Sequence, residues 1–182
     1  MATLTFDQKR MLLTYKTFYG EPYIAPSSQT NTDIHVISQE MCFILKMKGV
    51  NIGDYSYSWN THGPFSPGLL VLLRTMDRIP SEIENFYISS EEYGYILNQE
   101  TRNKIIHIKN ALKIDEHTND RLDWVELLGS LVYLANVELP GASCDEVFER
   151  LKMYKGIETD GIDKKSIWEM LKTEKLLATT GR

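Results

Sequence analysis

Cysteine is scarce in this chain, long apolar runs and basic stretches are missing, and so are the short motifs that mark common chemistries; each shortage removes a class of protein. The two cysteines, Cys42 and Cys144, stand far apart and form neither a metal-ligand spacing nor a redox pair. Two reduced thiols in a cytoplasm are the expectation. No stretch approaches the roughly 20 apolar residues of a membrane span, and the opening MATLTFDQKR lacks the basic head and apolar segment of a secretory signal. A cytoplasmic protein without a membrane partner is therefore expected. A Walker loop, a G-x-G-x-x-G turn and an H-E-x-x-H helix are all absent, so no cofactor and no metal are expected.

Positive charge is also thin. Residues 1 to 80 hold seven Lys/Arg against six Asp/Glu, while 81 to 182 hold thirteen against nineteen, which divides the net charge of −5 into +1 and −6. A duplex binder neutralises several phosphates at once through clustered Lys and Arg. Only Lys9-Arg10, Lys46, Lys48, Arg74 and Arg78 offer anything of the kind, so nucleic acid is not the favoured partner.

What is present is ordinary globular material, with 42% hydrophobic and 25% charged residues. The length suits one well-filled core, read as a single domain over 1–182: an N-terminal part over 1–80, a helical C-terminal part over 81–177 and a frayed tail over 178–182. The organising stretch is Asp54 to Met76. Tyr55, Tyr57 and Trp59 alternate with Ser56, Ser58 and Asn60, the two-residue period of a strand with one face covered. Gly63-Pro64 is expected to break that strand. Ser66 then caps a helix whose first position is Pro67, and Leu69 to Leu73 with Met76 place that helix against the core on at least two faces.

Local signals mark the other elements. Thr5 or Asp7 caps a first helix that ends at Gly20, and residues 20 to 32 read as an exposed loop. Asn31 to Asp33 offers caps for a core helix carrying Ile34, Ile37, Met41, Ile44 and Leu45. Ser81-x-x-Glu84 has the pattern of a capping box, Asn85 to Ile88 that of a second short strand pairing with Tyr55 to Trp59, and Glu91-Glu92 that of a helix start. Amphipathic Glu100 to Lys113 precedes the most apolar helix, Asp120 to Val137, in which Gly129 and Ser130 allow a neighbouring helix close approach. Ser143 with Glu146 caps a helix turning Val147, Phe148, Leu151 and Tyr154 inward, and Asp163 caps the last. The sum is a mainly α (α+β) fold of about seven to eight helices with a small two-stranded β element.

The aromatic strand followed by GPFSPGLL resembles the GPYS or GPFS element of the YwgA-like bacterial proteins, which are similar to the Panacea and SocA-like antitoxin domains. LDWVELLGSLVYL over 122–134 resembles a helix of that family, and residues 147–177 its closing helix pair; together the matches span 34 to 177 in order. The chain departs from the family at HVISQEMCFILKMKG, where relatives carry a Lys-Leu-Gln-Lys type of opening. The resemblance implies a helical domain with a winged-helix-like strand element. It also implies a non-enzymatic antitoxin or adaptor that covers the surface of another protein: a toxin, a protease or a defence enzyme. A small protein of a mobile element or phage that blocks a host defence or nucleic-acid-handling enzyme fits the same outline. The alternative is a winged-helix transcriptional regulator with the Pro67 to Arg78 helix near DNA.

Partner-binding residues are expected around the corner, at His62, Pro64 and Phe65, and on the loop, at Tyr23 and Ile24, because aromatics at a rigid corner make good anchors. No catalytic residue is assigned. His62 reads as a turn histidine, Ser66 as a cap, and Cys144 as a surface thiol that the start of its helix tilts toward thiolate.

Overall fold

In the computed structural model, which describes residues 3–26, 33–89, 94–156 and 161–178, the local capping signals become helix boundaries. Helix α1 (Phe6–Tyr19) begins in a full capping box between Thr5 and Gln8 and ends at Gly20. Helix α2 (Asp33–Met47) buries Ile37, Met41, Ile44 and Leu45; residues 31 and 32, proposed as its caps, lie outside the described residues. Helix α3 (Pro67–Met76) starts at Ser66, whose hydroxyl accepts from the Leu69 amide. Helices α5 (Gln99–Ala111), α7 (Cys144–Lys155) and α8 (Lys164–Thr173) are capped by Asn98, Ser143 and Asp163.

The β element is a hairpin of β1 (Ser58–Asn60) and β2 (Gly63–Phe65), paired Ser58 to Phe65, Trp59 to Pro64 and Asn60 to Gly63. Glycine-proline therefore does not break the strand. The chain reverses at Thr61-His62, and GPF is the returning partner, with Pro64 tolerated because a two-stranded ribbon leaves one side of each strand without a ladder. The alternation of Tyr55, Tyr57 and Trp59 persists as half-buried positions between exposed ones. Tyr57 meets Phe43 of α2 at 5.1 Å between ring centroids. Trp59 packs on Tyr133 at 5.6 Å and on Tyr154 at 5.1 Å.

Four further expectations are corrected. Asn85 to Ile88 is not a strand but the end of helix α4 (Pro80–Ile88), in which Ile83 and Phe86, three apart, turn inward. Nor is there a Ser81 capping box: α4 begins one residue earlier on Pro80, and its cap, Ile79, has no side-chain hydrogen bond. Helix α3 meets the core on one face, through Leu69, Leu73 and Met76, while Val71 is 66% exposed. Tyr154 is 42% exposed, its ring laid on Trp59 and its hydroxyl donating to Glu138. The proposed helix start at Glu91-Glu92 lies outside the described residues.

Helix α6 (Arg121–Tyr133) occupies the centre, as its apolar composition demands, and runs on into one wide turn, Leu134–Glu138, in which the Leu139 amide donates to the Leu134 carbonyl. Its most extensive neighbour is α2. Eight α-helices among the described residues, with the hairpin, make a mainly α fold around one apolar cluster. Among the described residues no helix is long and apolar enough to cross a membrane.

Two polar side chains on the buried side of α2 set how these pieces meet. Gln39 donates to the Ser66 carbonyl (3.0 Å) and accepts from the Ser66 amide (2.9 Å), closing a two-bond clamp on the corner between β2 and α3. Glu40, 1% exposed, lies against Gly63 and Gly129. A methyl group on Gly129 would come 1.8 Å from Glu40 Oε2, so the close approach foreseen at Gly129 is to a carboxyl group. Gly129→Ala should accordingly destabilise the fold by about 2 kcal/mol or more, against the gain of about 1 kcal/mol that alanine normally brings to a helix. In a Glu40→Ala background the penalty should largely vanish; urea unfolding of the four proteins of this cycle measures both.

Candidate functional site

The hairpin, α2 and α3 enclose a cleft of about 200 Å³. Val36, Pro64, Phe65 and Leu70 give it apolar walls, while His35, Asn60, His62 and Arg74 supply polar groups. Gln39 and Glu40 also line it. The Gln39 clamp on Ser66 holds the wall in place, because strand and helix leave that residue in directions fixed by two backbone hydrogen bonds.

His62, Pro64 and Phe65 are brought together here. His62 is exposed, Phe65 half-buried and Pro64 buried. Tyr23 does not join them as an anchor. It is 1% exposed, its hydroxyl donates to Asp77 Oδ1 (2.8 Å), and its amide donates to the Tyr87 hydroxyl (3.0 Å). It pins the loop to the body of the protein. Ile24, next to it in sequence, is 70% exposed. Residues 27–32 of that loop lie outside the described residues. Asp77 also bonds His35 Nε2 through Oδ2 (2.8 Å), so the same carboxylate that holds Tyr23 orients a cleft histidine.

Behind the hairpin runs a polar seam that sequence reasoning missed. Lys155, its side chain only 4% exposed, pairs with Glu126 and donates to the His62 carbonyl (2.6 Å). His62 Nδ1 lies 3.4 Å from the other Glu126 oxygen. Glu40 Oε2 and Ser130 Oγ, both buried, have no hydrogen-bond partner among the described residues. Burial pushes the Glu40 carboxyl well above its ordinary range; Lys155 opposes that shift and Glu126 adds to it. The shift favours the protonated form of Glu40. A signal for it existed: Ile37, Glu40, Met41 and Ile44 share a helix face by spacing, so an acid stood on a stripe that had to be buried. Lys155 gave no such signal, being an ordinary lysine in the last turn of a helix.

The remaining candidates separate. Ser66 is a buried cap. Cys144 is half-buried, and its thiol is pushed up by burial and by Asp145, the reverse of the thiolate tendency expected at a helix start. His107 bonds Glu174 and His117 bonds Asp120, and neither histidine lines the cleft. Among the described residues no group of three or more His, Cys, Asp or Glu side chains is arranged to hold a metal ion. No family model, no curated protein and no solved structure matches this chain.

The Glu40 carboxyl gives stability a definite pH dependence. Its folded pKa is raised, so the unfolded chain releases a proton that the folded chain keeps as pH climbs above the ordinary carboxylate value of 4.5. The contribution is whole below that value and is lost progressively above it. Glu40→Gln removes the titration and keeps the shape. In urea unfolding between pH 4 and pH 8, the variant should gain on the natural chain by up to about 1.4 kcal/mol per pH unit; a difference that stays flat with pH would exclude a neutral Glu40.

Proposed function

We propose that this chain is a non-enzymatic binding module that acts by covering the surface of another protein, with the hairpin cleft as the place where a partner side chain anchors. The observation that carries this reading is the size and rigidity of the cleft. At about 200 Å³ it is smaller than the roughly 300–1,000 Å³ of small-molecule sites. A half-buried Phe65 beside Leu70, backed by a clamped corner, is the arrangement in which one inserted side chain gives much of the binding energy. Preorganisation matters here, since walls that are already fixed lose little entropy when the partner arrives. The resemblance to the YwgA-like and SocA-like antitoxin proteins supports the same reading, through its strand, corner and helix. An antitoxin, an adaptor or a mobile-element inhibitor of a host enzyme are all forms of it.

A DNA-binding role has less behind it. The solvent side of α3 presents Val71 at 66% exposure, and Arg74 is the one basic residue within that helix. Such a surface releases few counterions from a duplex.

In affinity purification from the native host, the natural chain should retain a protein that the Phe65→Ala/Leu70→Asp variant loses. With the pair rebuilt from purified components, the variant should bind roughly tenfold or more weakly, about 1.4 kcal/mol, while its circular dichroism stays that of the natural chain. Undiminished affinity in the folded variant, or duplex binding that falls steeply with salt, would overturn the assignment.

A further inference from the structure

A second and larger concavity lies on another face, between α6, α7 and the start of α8. It has a volume of about 760 Å³. Leu127, Leu151, Ile162 and Ile167 supply its apolar lining. One wall is a flat stack of His117 on Trp124, with ring centroids 4.0 Å apart and planes inclined by 11°. Both rings are held from behind. The Asp120 carboxylate lies 3.0 Å from His117 Nδ1, and Trp124 Nε1 donates to the Leu112 carbonyl at 2.9 Å.

The charge around this groove is one-sided. Glu116, Asp120, Asp123, Glu126 and Asp163 line it against two lysines, Lys113 and Lys155. Lys155 is already paired with Glu126, and Asp163 caps α8 by accepting from the Ser166 amide. Glu116 and Asp123 stand exposed. An apolar lining under an acidic surround repels phosphate and carboxylate ligands; it accepts a chain segment whose apolar side faces in while its cations meet the carboxylates.

We propose that this groove is a docking site for a basic amphipathic segment, helical when bound, of a partner protein. The proposal does not depend on the hairpin cleft, and either can fail without the other. The groove exceeds one side chain in volume, so it takes successive apolar residues from one face of such a segment. The stacked Trp124 wall is fixed before binding, which spares the complex the cost of ordering it.

The test uses the full chain and a fluorescein-labelled Leu/Lys amphipathic peptide of about 18 residues, long enough to form a helix on binding, followed by fluorescence anisotropy. Saturable binding is expected that weakens at about 0.5 M NaCl, with none to the same peptide carrying Glu in place of Lys. Glu116→Lys/Asp123→Lys should weaken binding roughly tenfold or more, whereas Glu82→Lys/Glu84→Lys on α4, an equal change in net charge, should stay within about twofold. Phe65→Ala should leave it unchanged. Equal losses in the two double variants would reduce the effect to bulk charge and overturn the proposal, as would binding of the Leu/Glu peptide or no saturable binding at all. Sedimentation that shows a dimer abolished by Glu116→Lys/Asp123→Lys would give the groove to a second copy of this chain instead.

Discussion

The structure depends on two adjacent polar side chains placed on the buried face of one helix. Gln39 of α2 takes the amide and the carbonyl of Ser66, and Glu40 lies against Gly63 and Gly129. Polar groups in a core are costly unless they are hydrogen-bonded, and charged ones cost most. Gln39 meets that condition, whereas Glu40 Oε2 has no partner among the described residues and burial instead raises the pKa of its carboxyl well above the ordinary range. Each works in one register only. Sliding α2 by a residue along α6 would drive the carboxyl into a side chain where Gly129 now leaves room, and would part Gln39 from Ser66. Apolar packing between α2 and α6 tolerates several offsets; this pair of residues selects one.

Gly63 is constrained from two sides by the same contact. Its φ of 127° lies where side chains are rarely tolerated. A Cβ there would also meet Glu40 Oε1 at 2.5 Å and Ser130 Oγ at 2.7 Å. The hairpin therefore reverses at Thr61-His62 and delivers Gly63 as the residue that can touch the α2–α6 interface. Pro64 and Phe65 follow as walls of the cleft. On the far side, Lys155 reaches from the end of α7 to the His62 carbonyl while paired with Glu126. Glu126 and Lys155 line the large groove, and their contacts with His62 link it to a residue of the cleft.

Elements specified by neighbours in sequence were legible from the chain. Thr5, Ser66, Ser143 and Asp163 cap helices because a side-chain oxygen and an amide three residues on are enough to decide the matter. The aromatic alternation at Tyr55, Tyr57 and Trp59 was legible for the same reason. Asn85 to Ile88 was not: Phe86, Tyr87 and Ile88 favour strands intrinsically, yet Pro80 had already started a helix that buries Ile83 and Phe86 together, and packing overrode propensity. Glycine-proline misled in another way, because the turn sits two residues earlier and the pair is needed on the returning strand. The candidate site was half legible. His62, Pro64 and Phe65 are local to the corner, but Gln39, Glu40, Leu70 and Arg74 reach the cleft from elsewhere in the chain, and only an acid on an apolar stripe hinted at one of them.

The uneven charge of the two halves of the chain acquires a spatial meaning from this arrangement. The first 80 residues, net +1, build the cleft, where Arg74, His35 and His62 share the lining with a carboxyl group whose pKa burial raises. The remainder, net −6, builds the groove with its five carboxylates. A net charge of −5 spread evenly would keep the protein soluble and steer nothing in particular. Divided in this way, the carboxylates gather around the groove while the cleft carries one arginine and two histidines, so any steering by charge would differ between the two surfaces. Within the groove the Lys155–Glu126 pair is internally compensated, which leaves the exposed Glu116 and Asp123 as its uncompensated carboxylates.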